Sequence, residues 1–306
     1  MAEKPLVIVA AVNGGAQQSR DGAIVPVTTE EIVEEAVRCE EAGATVLHFH
    51  GRNSEGRNTG DPAVYAEIIR QVRQKTKLLI QCTNGIGYRI DPTTGEHVFP
   101  PDAERLALLN LDPTPDYYGA MTVSIDFYDP DGGFPQEASF RNSGRFLSET
   151  IRTVYSRGSV IEFEIPHISS LHRLHRYLAA EGIDPASPYI ALLMPIIPSF
   201  VPDHRTWLHL QDEAKRMFPN AIRNHVGSGS TAFEAVALAL AVDFECVRVG
   251  FESSLNLADG SFARHNYQQV AQAVEIARIF GRRPATPDEA VKILQLDRGP
   301  QQLGAV

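Results

Sequence analysis

Residues 25–52 read VPVTTEEIVEEAVRCEEAGATVLHFHGR, and this stretch joins one predicted helix to one predicted strand. Thr28 and Thr29 precede two glutamates, a pattern that favours a helix start, and Gly43 stands where the helix should end. The apolar run at 46–52 then predicts a buried strand. A helix followed directly by a buried strand is typical of parallel α/β folds.

Seven further apolar runs bring the number of predicted strands to eight, and amphipathic stretches separate them. Eight such units in about 250 residues are the usual size of a TIM barrel. No GxGxxG follows the first strand, as a doubly wound dinucleotide-binding fold would require. We expect residues 1–306 to form a single (β/α)8 TIM-barrel catalytic domain, with an appended C-terminal helix at 284–296. The predicted strands are 6–12, 46–52, 78–83, 118–125, 160–165, 189–194, 221–226 and 247–251.

The composition excludes several classes of protein. A net charge of −10 argues against nucleic-acid binding. No apolar run approaches the roughly 20 residues that cross a bilayer, and the N-terminus lacks a secretory cleavage site. Cys39, Cys82 and Cys246 are odd in number and widely spaced, which favours structural thiols over disulfides or a cysteine zinc site. We expect a cytoplasmic protein that binds neither nucleic acid nor membranes.

Two histidines lie in the second predicted strand, within VLHFHGR. Because successive side chains of a strand alternate, His48 and His50 share a face, which in a barrel is the interior. They lie toward the carboxyl end of the strand, where barrel enzymes collect their catalytic groups. Two imidazoles about 7 Å apart along a strand can reach a common ion, so we interpret them as metal ligands. The alternative is a pair of hydrogen-bonded core histidines.

A zinc site needs at least one ligand more than two imidazoles, and a carboxylate commonly completes it. Glu252 shares a face with Arg248 at the end of the last predicted strand, which a closed barrel places two strands from His48. Glu162 and Glu164 share an inward face of the fifth strand. They are rival ligands or a general acid and base, and a layer of buried ion pairs is their structural alternative.

Three connecting segments also indicate an active site at the carboxyl end of the barrel. GSGST at 227–231 follows the seventh strand and opens a helix, where barrels often bind an anion. We therefore expect Gly227 and Ser228 to bind substrate. The Pro-rich segments 88–102 and 194–204 are interpreted as active-site loops that act as lids or partner contacts.

In this order the motifs resemble those of the β-keto acid cleavage enzyme family, whose founding activity is 3-keto-5-aminohexanoate cleavage. The resemblance covers nearly the whole chain and is most specific where HxHxR is followed by RVGxE. The matching stretches are VIVAAVNGG (7–15), 25–52, DPAVYAEIIRQVRQKTKLLIQCTNG (61–85), CVRVGFESSLNL (246–257) and QVAQAVEIARIFGRRPATPDEAVKILQL (269–296).

The resemblance implies a zinc-binding TIM barrel in which His48, His50 and Glu252 hold the metal. The implied reaction takes a β-keto acid and acetyl-CoA to acetoacetate and a new acyl-CoA, by retro-Claisen cleavage with acyl transfer. Zinc supplies a Lewis acid that chelates the substrate's keto and carboxylate oxygens. Arg248 matches the arginine of RVGxE and is implied to pair with substrate or with a catalytic carboxylate.

Departures from the family pattern cluster near the site, which predicts a divergent member. Ser253 stands where the family has an aspartate involved in proton chemistry, and a hydroxyl is not a base near neutral pH without help. Ala16 replaces an acidic residue of the member that binds an amino-bearing substrate, so we expect a substrate without a basic amine. Gly119 falls about where the family has a small hydroxyl residue. The family's hydroxyl pair after the third strand becomes Thr83 and Asn84.

The predicted function is zinc-dependent cleavage of a β-keto acid with acetyl-CoA. Arg248, Ser253 and Asn84 are expected to act in catalysis beside the two glutamates of the fifth strand, and Arg52 and Thr83 to bind substrate. Two other functions stay open: a zinc-dependent lyase or hydrolase that acts on a small keto acid without CoA, and a non-catalytic metal-containing binding protein. The apolar last helices and Pro-rich loops indicate a homo-oligomer, either a dimer or a tetramer.

Overall fold

Eight parallel strands pair in chain order, and the eighth also pairs with the first, so the sheet closes into a barrel. This confirms the expected (β/α)8 fold, and each predicted strand has a counterpart. The computed structural model describes residues 3–15, 17–91, 93–126, 139–184, 189–193 and 204–297. The strands are β1 Lys4–Ala11, β2 Val46–His48, β3 Leu79–Thr83, β4 Tyr117–Met121, β5 Ile161–Ile165, β6 Tyr189–Leu193, β7 Ile222–Val226 and β8 Cys246–Val249.

Helices connect the strands and pack their buried faces against the outward side chains of the sheet. The first helix begins as expected: the Thr28 hydroxyl accepts a hydrogen bond from the Glu31 backbone N–H in a capping box, and Gly43 ends the helix with a φ of 110°. The helices are α1 Thr29–Ala42, α2 Pro62–Lys75, α3 Asp102–Ala107, α4 Gly144–Ser156, α5 Ile168–Ala180, α6 His204–Met217, α7 Ala232–Ala241 and α8 Asn266–Ile279.

The chain then closes the amino-terminal end of the barrel. The short strand β9 (Arg282–Pro284) pairs with β1, and the expected appended helix is α9 (Pro287–Ile293). Ala290 and Leu294 belong to one buried cluster with residues at the starts of the strands. This end is therefore plugged, which leaves the carboxyl end for a site. The strand residues of the cluster include Val7, Val46, Leu79, Tyr117, Tyr189, Ile222 and Cys246.

Some short elements differ from the sequence-based expectation. Helix α3 was not predicted, because six residues are too few to establish a helical period. The predicted fourth strand, 118–125, is too long: β4 ends at Met121, and Ile125–Asp126 pairs antiparallel with Ser139–Phe140. A second antiparallel pair, Arg89–Ile90 with His97–Val98, lies inside the loop predicted at 88–102.

Two other predicted strands, 46–52 and 247–251, also end early, and this affects the site. Regular pairing stops at His48 in β2 and at Val249 in β8. Gly250 turns the chain with a φ of 134°, and a Cβ there would lie 2.2 Å from the backbone oxygen of Ala11. Because only glycine fits such a close approach, the turn after β8 lies directly against β1.

Cys39, Cys82 and Cys246 are buried and unpaired, as expected for structural thiols. Among the described residues, no helix combines the length and apolar character that crossing a membrane requires.

Candidate metal centre

The three predicted metal ligands converge at the carboxyl end of the barrel. His48 ends β2, His50 lies two residues beyond it, and Glu252 lies in the turn after β8. His48 Nε2 is 2.9 Å from Glu252 Oε2, and His50 Nε2 is 3.3 Å from Glu252 Oε1. One possible ligand atom from each side chain lies within 4.8 Å of the other two. The arrangement is compact enough for the three side chains to share one ion.

The facing nitrogen and oxygen atoms of these three side chains form no hydrogen bonds of normal geometry with one another, which suits them to bind a cation. His48 Nε2 lies close to Glu252 Oε2, yet the two atoms form no hydrogen bond of normal geometry, and His50 Nδ1 is buried without a partner. Burial, partly offset by Glu252, lowers the pKa of His48 to about 4, so its imidazole is neutral at pH 7. Two imidazoles and one carboxylate are a ligand set that zinc accepts, so the residues fit the expected metal.

Arg248 points from β8 toward two carboxylates. Its Nη2 contacts Glu252 Oε2, and its Nη1 lies 3.5 Å from Glu164 Oε1. Burial opposes the ionisation of Glu252, but Arg248 and the two imidazoles together hold the pKa of Glu252 well below its usual range. Glu252 is therefore ionised near neutral pH, which is the form that binds a metal.

The pKa of Glu164 is shifted in the opposite direction to that of Glu252. Burial raises the pKa of Glu164 to about 7, against the effect of Arg248 and with added repulsion from nearby carboxylates. Its neighbours Phe163 and Ile165 pack in the core between sheet and helices, so Glu164 faces the barrel interior. The side chain keeps 19% exposure there. An accessible carboxyl group that exchanges its proton near pH 7 suits a general acid or base.

Glu162 lies two residues deeper on β5 and is fully buried. Its two carboxylate oxygens accept hydrogen bonds from Gln81 Nε2 at 3.0 Å and Asn224 Nδ2 at 3.1 Å. Glu162 also raises the pKa of Arg248. The side chain thus belongs to a buried polar layer beneath the cavity, held by amides rather than by the ion pairs of the structural alternative. Sequence analysis missed both amides, although their inward positions on β3 and β7 were a usable signal.

The guanidinium of Arg52 is occupied by backbone oxygens. Its donors reach Gly14 O at 2.9 Å, Gln17 O at 3.1 Å and Gly56 O at 3.3 Å. Arg52 therefore ties the loop after β1 to the loop after β2. Ala16, whose identity suggested a substrate without an amine, lies outside the described residues.

The other side chains expected to act after β3 and β8 are spread around the site. Asn84 Nδ2 donates to Thr150 Oγ1 of α4 at 3.0 Å, so this amide points toward the helix layer. The Thr83 hydroxyl accepts a hydrogen bond from Gly85 N at 2.9 Å. Ser253 Oγ is buried without a hydrogen-bond partner, one residue from Glu252. Ser253 is thus the one of these three with an uncommitted polar group beside the metal ligands.

The predicted anion-binding turn packs against the same region. Gly229 N donates to Ser253 O at 3.0 Å, so the turn after β7 is joined to the turn after β8. Gly227 is buried, and a Cβ there would lie 2.5 Å from Ala235 Cβ. Ser228 is partly buried next to it. Of the loop predicted at 194–204, residues 194–203 lie outside the described part of the chain.

Sequence analysis also missed Asn13, which holds the loop that carries His50. The buried Asn13 side chain accepts a hydrogen bond from His50 N at 2.8 Å and donates to His50 O at 3.0 Å. It also donates to Pro26 O and accepts from Gly14 N. Both backbone groups of a predicted metal ligand are therefore fixed by one amide. A polar residue directly after the apolar run of β1 was the available signal.

Asn266 holds the turn that carries Glu252 in a similar way. Its Oδ1 accepts a hydrogen bond from Phe251 N at 2.7 Å, and its Nδ2 donates to Val12 O at 3.1 Å. Its own backbone N–H donates to the buried Glu35 at 2.6 Å. The two asparagines thus attach both ligand-bearing loops to the end of β1.

We expect Asn13→Ala to weaken zinc binding by about 10- to 100-fold, because groups that orient metal ligands commonly have effects of this size. Competition with a chromophoric chelator measures the affinity. The control is Asn110→Ala, which changes an exposed asparagine in the turn after α3. An unchanged zinc affinity in a folded Asn13→Ala protein would show that the amide does not position His50.

The sequences of several relatives align with this chain along nearly its full length. A 3-keto-5-aminohexanoate cleavage enzyme of Fusobacterium nucleatum is 29% identical over 309 residues, covering 97% of this chain and all of the relative. A 3,5-dioxohexanoate:acetyl-CoA acetone transferase of Paraburkholderia graminis is 22% identical and covers 96% of each chain. A 3-oxoadipate:acetyl-CoA acetyltransferase of Cupriavidus necator is 24% identical and covers 96% of this chain and 95% of the relative.

Solved structures agree with the fold. The apo structure of ObcA superposes with a TM-score of 0.70 at 17% identity, covering 89% of this chain and 65% of ObcA. This chain therefore spans about two thirds of the length of that protein. At the level of sequence families, the model of the beta-keto acid cleavage enzyme matches residues 5–296. That match and the relatives above show that this chain belongs to the β-keto acid cleavage enzyme family.

Proposed function

We propose that the protein catalyses zinc-dependent cleavage of a β-keto acid with acetyl-CoA, which yields acetoacetate and a new acyl-CoA. The observation that carries the proposal is the convergence of His48, His50 and Glu252, in which both ring nitrogens of His48 and Nδ1 of His50 are buried without hydrogen-bond partners. The names of two relatives also combine a keto acid with acetyl-CoA. Arg248 and Glu164 beside the triad supply charge and a proton carrier for this chemistry.

In this proposal the three ligands hold a zinc ion, which when bound supplies a Lewis acid for the keto and carboxylate oxygens of the substrate. Arg248 keeps Glu252 ionised and in place through its direct contact. The guanidinium of Arg248 also attracts an anionic substrate to the barrel mouth, where Glu164 and Glu252 would otherwise repel it. Positive charge at this point stabilises the negative charge that develops on the substrate oxygens.

We infer that Glu164 accepts the proton removed from the carbon between the keto and carboxylate groups. That carbon then forms a bond to the acetyl carbonyl and releases the CoA thiolate, which attacks the original keto carbon and leaves as acyl-CoA. Glu164 returns the proton to the departing acetoacetate carbanion. Its pKa near 7 and its exposure to the cavity support this role. Ser253, which stands where the family has an aspartate, has no base beside it in the described contacts.

The test is a panel of β-keto acids without a basic amine, incubated with zinc-loaded protein and acetyl-CoA. We expect acetoacetate and acyl-CoA to appear in equal amounts, and no product when acetyl-CoA is left out. Product without acetyl-CoA would instead favour a zinc-dependent lyase or hydrolase. Tight, saturable binding of a keto acid without turnover would favour a binding protein. Either result would contradict the proposal.

We further propose that the protein is a homo-oligomer, a dimer or a tetramer. The end of α8 supports this, since Ile279 is 83% exposed and Phe280 is 43% exposed. Light scattering on the purified protein measures the mass, and a monomeric mass at micromolar concentration would contradict it.

A further inference from the structure

A groove lies on the outer side of the barrel, between α4 and α5. None of the residues that line it belongs to the candidate metal centre. The groove has a volume of about 630 Å³, within the range of roughly 300 to 1,000 Å³ that small-ligand sites span. The residues along it are basic, aromatic or small. They include Gly144, Ser169, His172, Arg173, Arg176 and Tyr177.

The basic side chains of this groove have no paired carboxylate in the part of the chain that the structure describes. Among the described residues, none of the ion pairs involves His172, Arg173 or Arg176. Glu213 lies within electrostatic range of His172, but its carboxylate pairs with Arg216 at 2.7 Å. In a chain of net charge −10, an uncompensated basic groove indicates an anionic ligand.

A second groove at the same end of the barrel provides the contrast. It is lined by Arg57 and Arg89 and has a volume of about 450 Å³. There each guanidinium contacts a carboxylate of the chain, Arg57 with Glu55 and Arg89 with Glu104. That groove is therefore close to neutral, and the groove between α4 and α5 is the stronger candidate for binding phosphate groups.

Arg173 and Tyr177 form a fixed wall of the groove. Arg173 Nη2 donates to Asn142 O at 2.9 Å, and its guanidinium carbon lies 5.5 Å from the centroid of the Tyr177 ring. Arg173 Nε is buried and has no hydrogen-bond partner. A Cβ at Gly144 would lie 2.0 Å from the Tyr177 hydroxyl oxygen, so the glycine leaves room for the ring. A guanidinium beside an aromatic ring suits a ligand that joins phosphates to a planar base.

The groove is connected to the candidate site by two hydrogen bonds. Asn142, which accepts from Arg173, donates through Nδ2 to Met121 O at 3.0 Å, at the end of β4. Met121 is paired in register with Glu164 on β5. Helix α5 begins directly after β5, so the groove starts beside the strand that carries Glu164. A ligand lying in the groove can therefore extend over the ends of β4 and β5 to the barrel mouth.

We propose that this groove binds the phosphorylated adenosine end of coenzyme A. Arg173, Arg176 and His172 bind the phosphates, and Tyr177 contacts the adenine. The thioester arm crosses the ends of β4 and β5 and delivers the acetyl group beside Glu164. This assignment rests on the proposed function for the identity of the co-substrate, whereas the recognition of an adenosine phosphate rests on the groove itself.

The first arm of the test is binding. Isothermal titration of the zinc-loaded protein uses adenosine 3′,5′-bisphosphate, adenosine monophosphate and inorganic phosphate. We expect the bisphosphate to bind, the monophosphate to bind more weakly, and inorganic phosphate at the same concentration not to compete. Arg176→Ala, which alters an exposed side chain of α5, should weaken bisphosphate binding by about tenfold, as expected for loss of one charge-assisted hydrogen bond. Arg57→Ala in the neutral groove is the matched control and should bind like wild type.

The second arm is kinetic and separates this inference from the proposed function. Arg176→Ala should raise KM for acetyl-CoA by about tenfold, again the effect of one charge-assisted contact, while kcat, zinc content and KM for the β-keto acid stay unchanged. If the protein turns over but KM for acetyl-CoA is the same in both proteins, the groove assignment is wrong. If there is no turnover yet Arg176→Ala loses bisphosphate binding, the groove holds an adenosine phosphate and the proposed reaction is wrong. Equal competition by inorganic phosphate would overturn the nucleotide assignment.

Discussion

The His48→Ala protein should fold, contain no bound zinc and lose turnover by about a thousandfold, because a Lewis acid contributes several kcal/mol and each 1.4 kcal/mol is a factor of ten. The structural reason is that His48 Nε2 is the atom closest to Glu252 among the possible imidazole ligands. Removing it leaves one imidazole and one carboxylate, too few to hold zinc tightly. Elemental analysis and the acetyl-CoA assay measure the two losses.

A histidine away from the site provides the control. His209 lies on the exposed side of α6, and His209→Ala should keep both its zinc and its turnover. If His48→Ala retained stoichiometric zinc, the assignment of His48 as a ligand would be wrong. If it lost zinc but kept its turnover, the metal would have no part in the reaction.

Glu164→Gln should keep zinc but lose kcat by about 10²- to 10⁴-fold, the range typical for loss of a general base. Glutamine fills the same space and can still contact Arg248 Nη1, but it cannot carry the proton. Ser253→Ala, by comparison, should reduce kcat far less, since its hydroxyl has no base beside it in the described contacts. If Ser253→Ala were the more damaging of the two, Glu164 would not be the proton acceptor.

Glu164 should also make the stability of the chelator-treated protein depend on pH. Burial raises the pKa of Glu164 to about 7, above the usual value of an exposed glutamate, so the folded state holds its proton more tightly than the unfolded state. Its stabilising contribution is therefore complete at low pH and is lost as pH rises through about 7. Thermal unfolding between pH 5 and 8 should show wild type losing stability relative to Glu164→Gln. Parallel curves for the two proteins would contradict the raised pKa.

The sequence was informative about the barrel because each strand is a short buried run between two helices. The same periodicity placed His48 and His50 on one side, since side chains two apart on an extended chain share a face. That inference holds although β2 ends at His48, since the ring centroids of His48 and His50 lie 5.3 Å apart. Helix α3 and strand β9 carry too few residues for any period to appear.

The residues that hold the loops of the site in place could not be predicted from the sequence, because their contacts join segments that are distant along the chain. Asn13 binds the backbone of His50, and Asn266 binds Val12, 254 positions away in the chain. The position of Asn13 after an apolar run marks it as a residue at the end of a strand, but no local pattern shows which distant backbone it binds. Glu252 was placed on a strand by extending the alternation, whereas a sharp turn at Gly250 brings it to the histidines. Its arrival at the site was predicted, but the backbone path was not.

Anomalous X-ray diffraction from crystals of the purified protein, recorded on both sides of the zinc absorption edge, tests the central claim most directly. The account predicts one strong anomalous peak at the carboxyl end of the barrel, within bonding distance of His48, His50 and Glu252. A peak elsewhere, or no peak at this position in crystals grown with zinc, would contradict it.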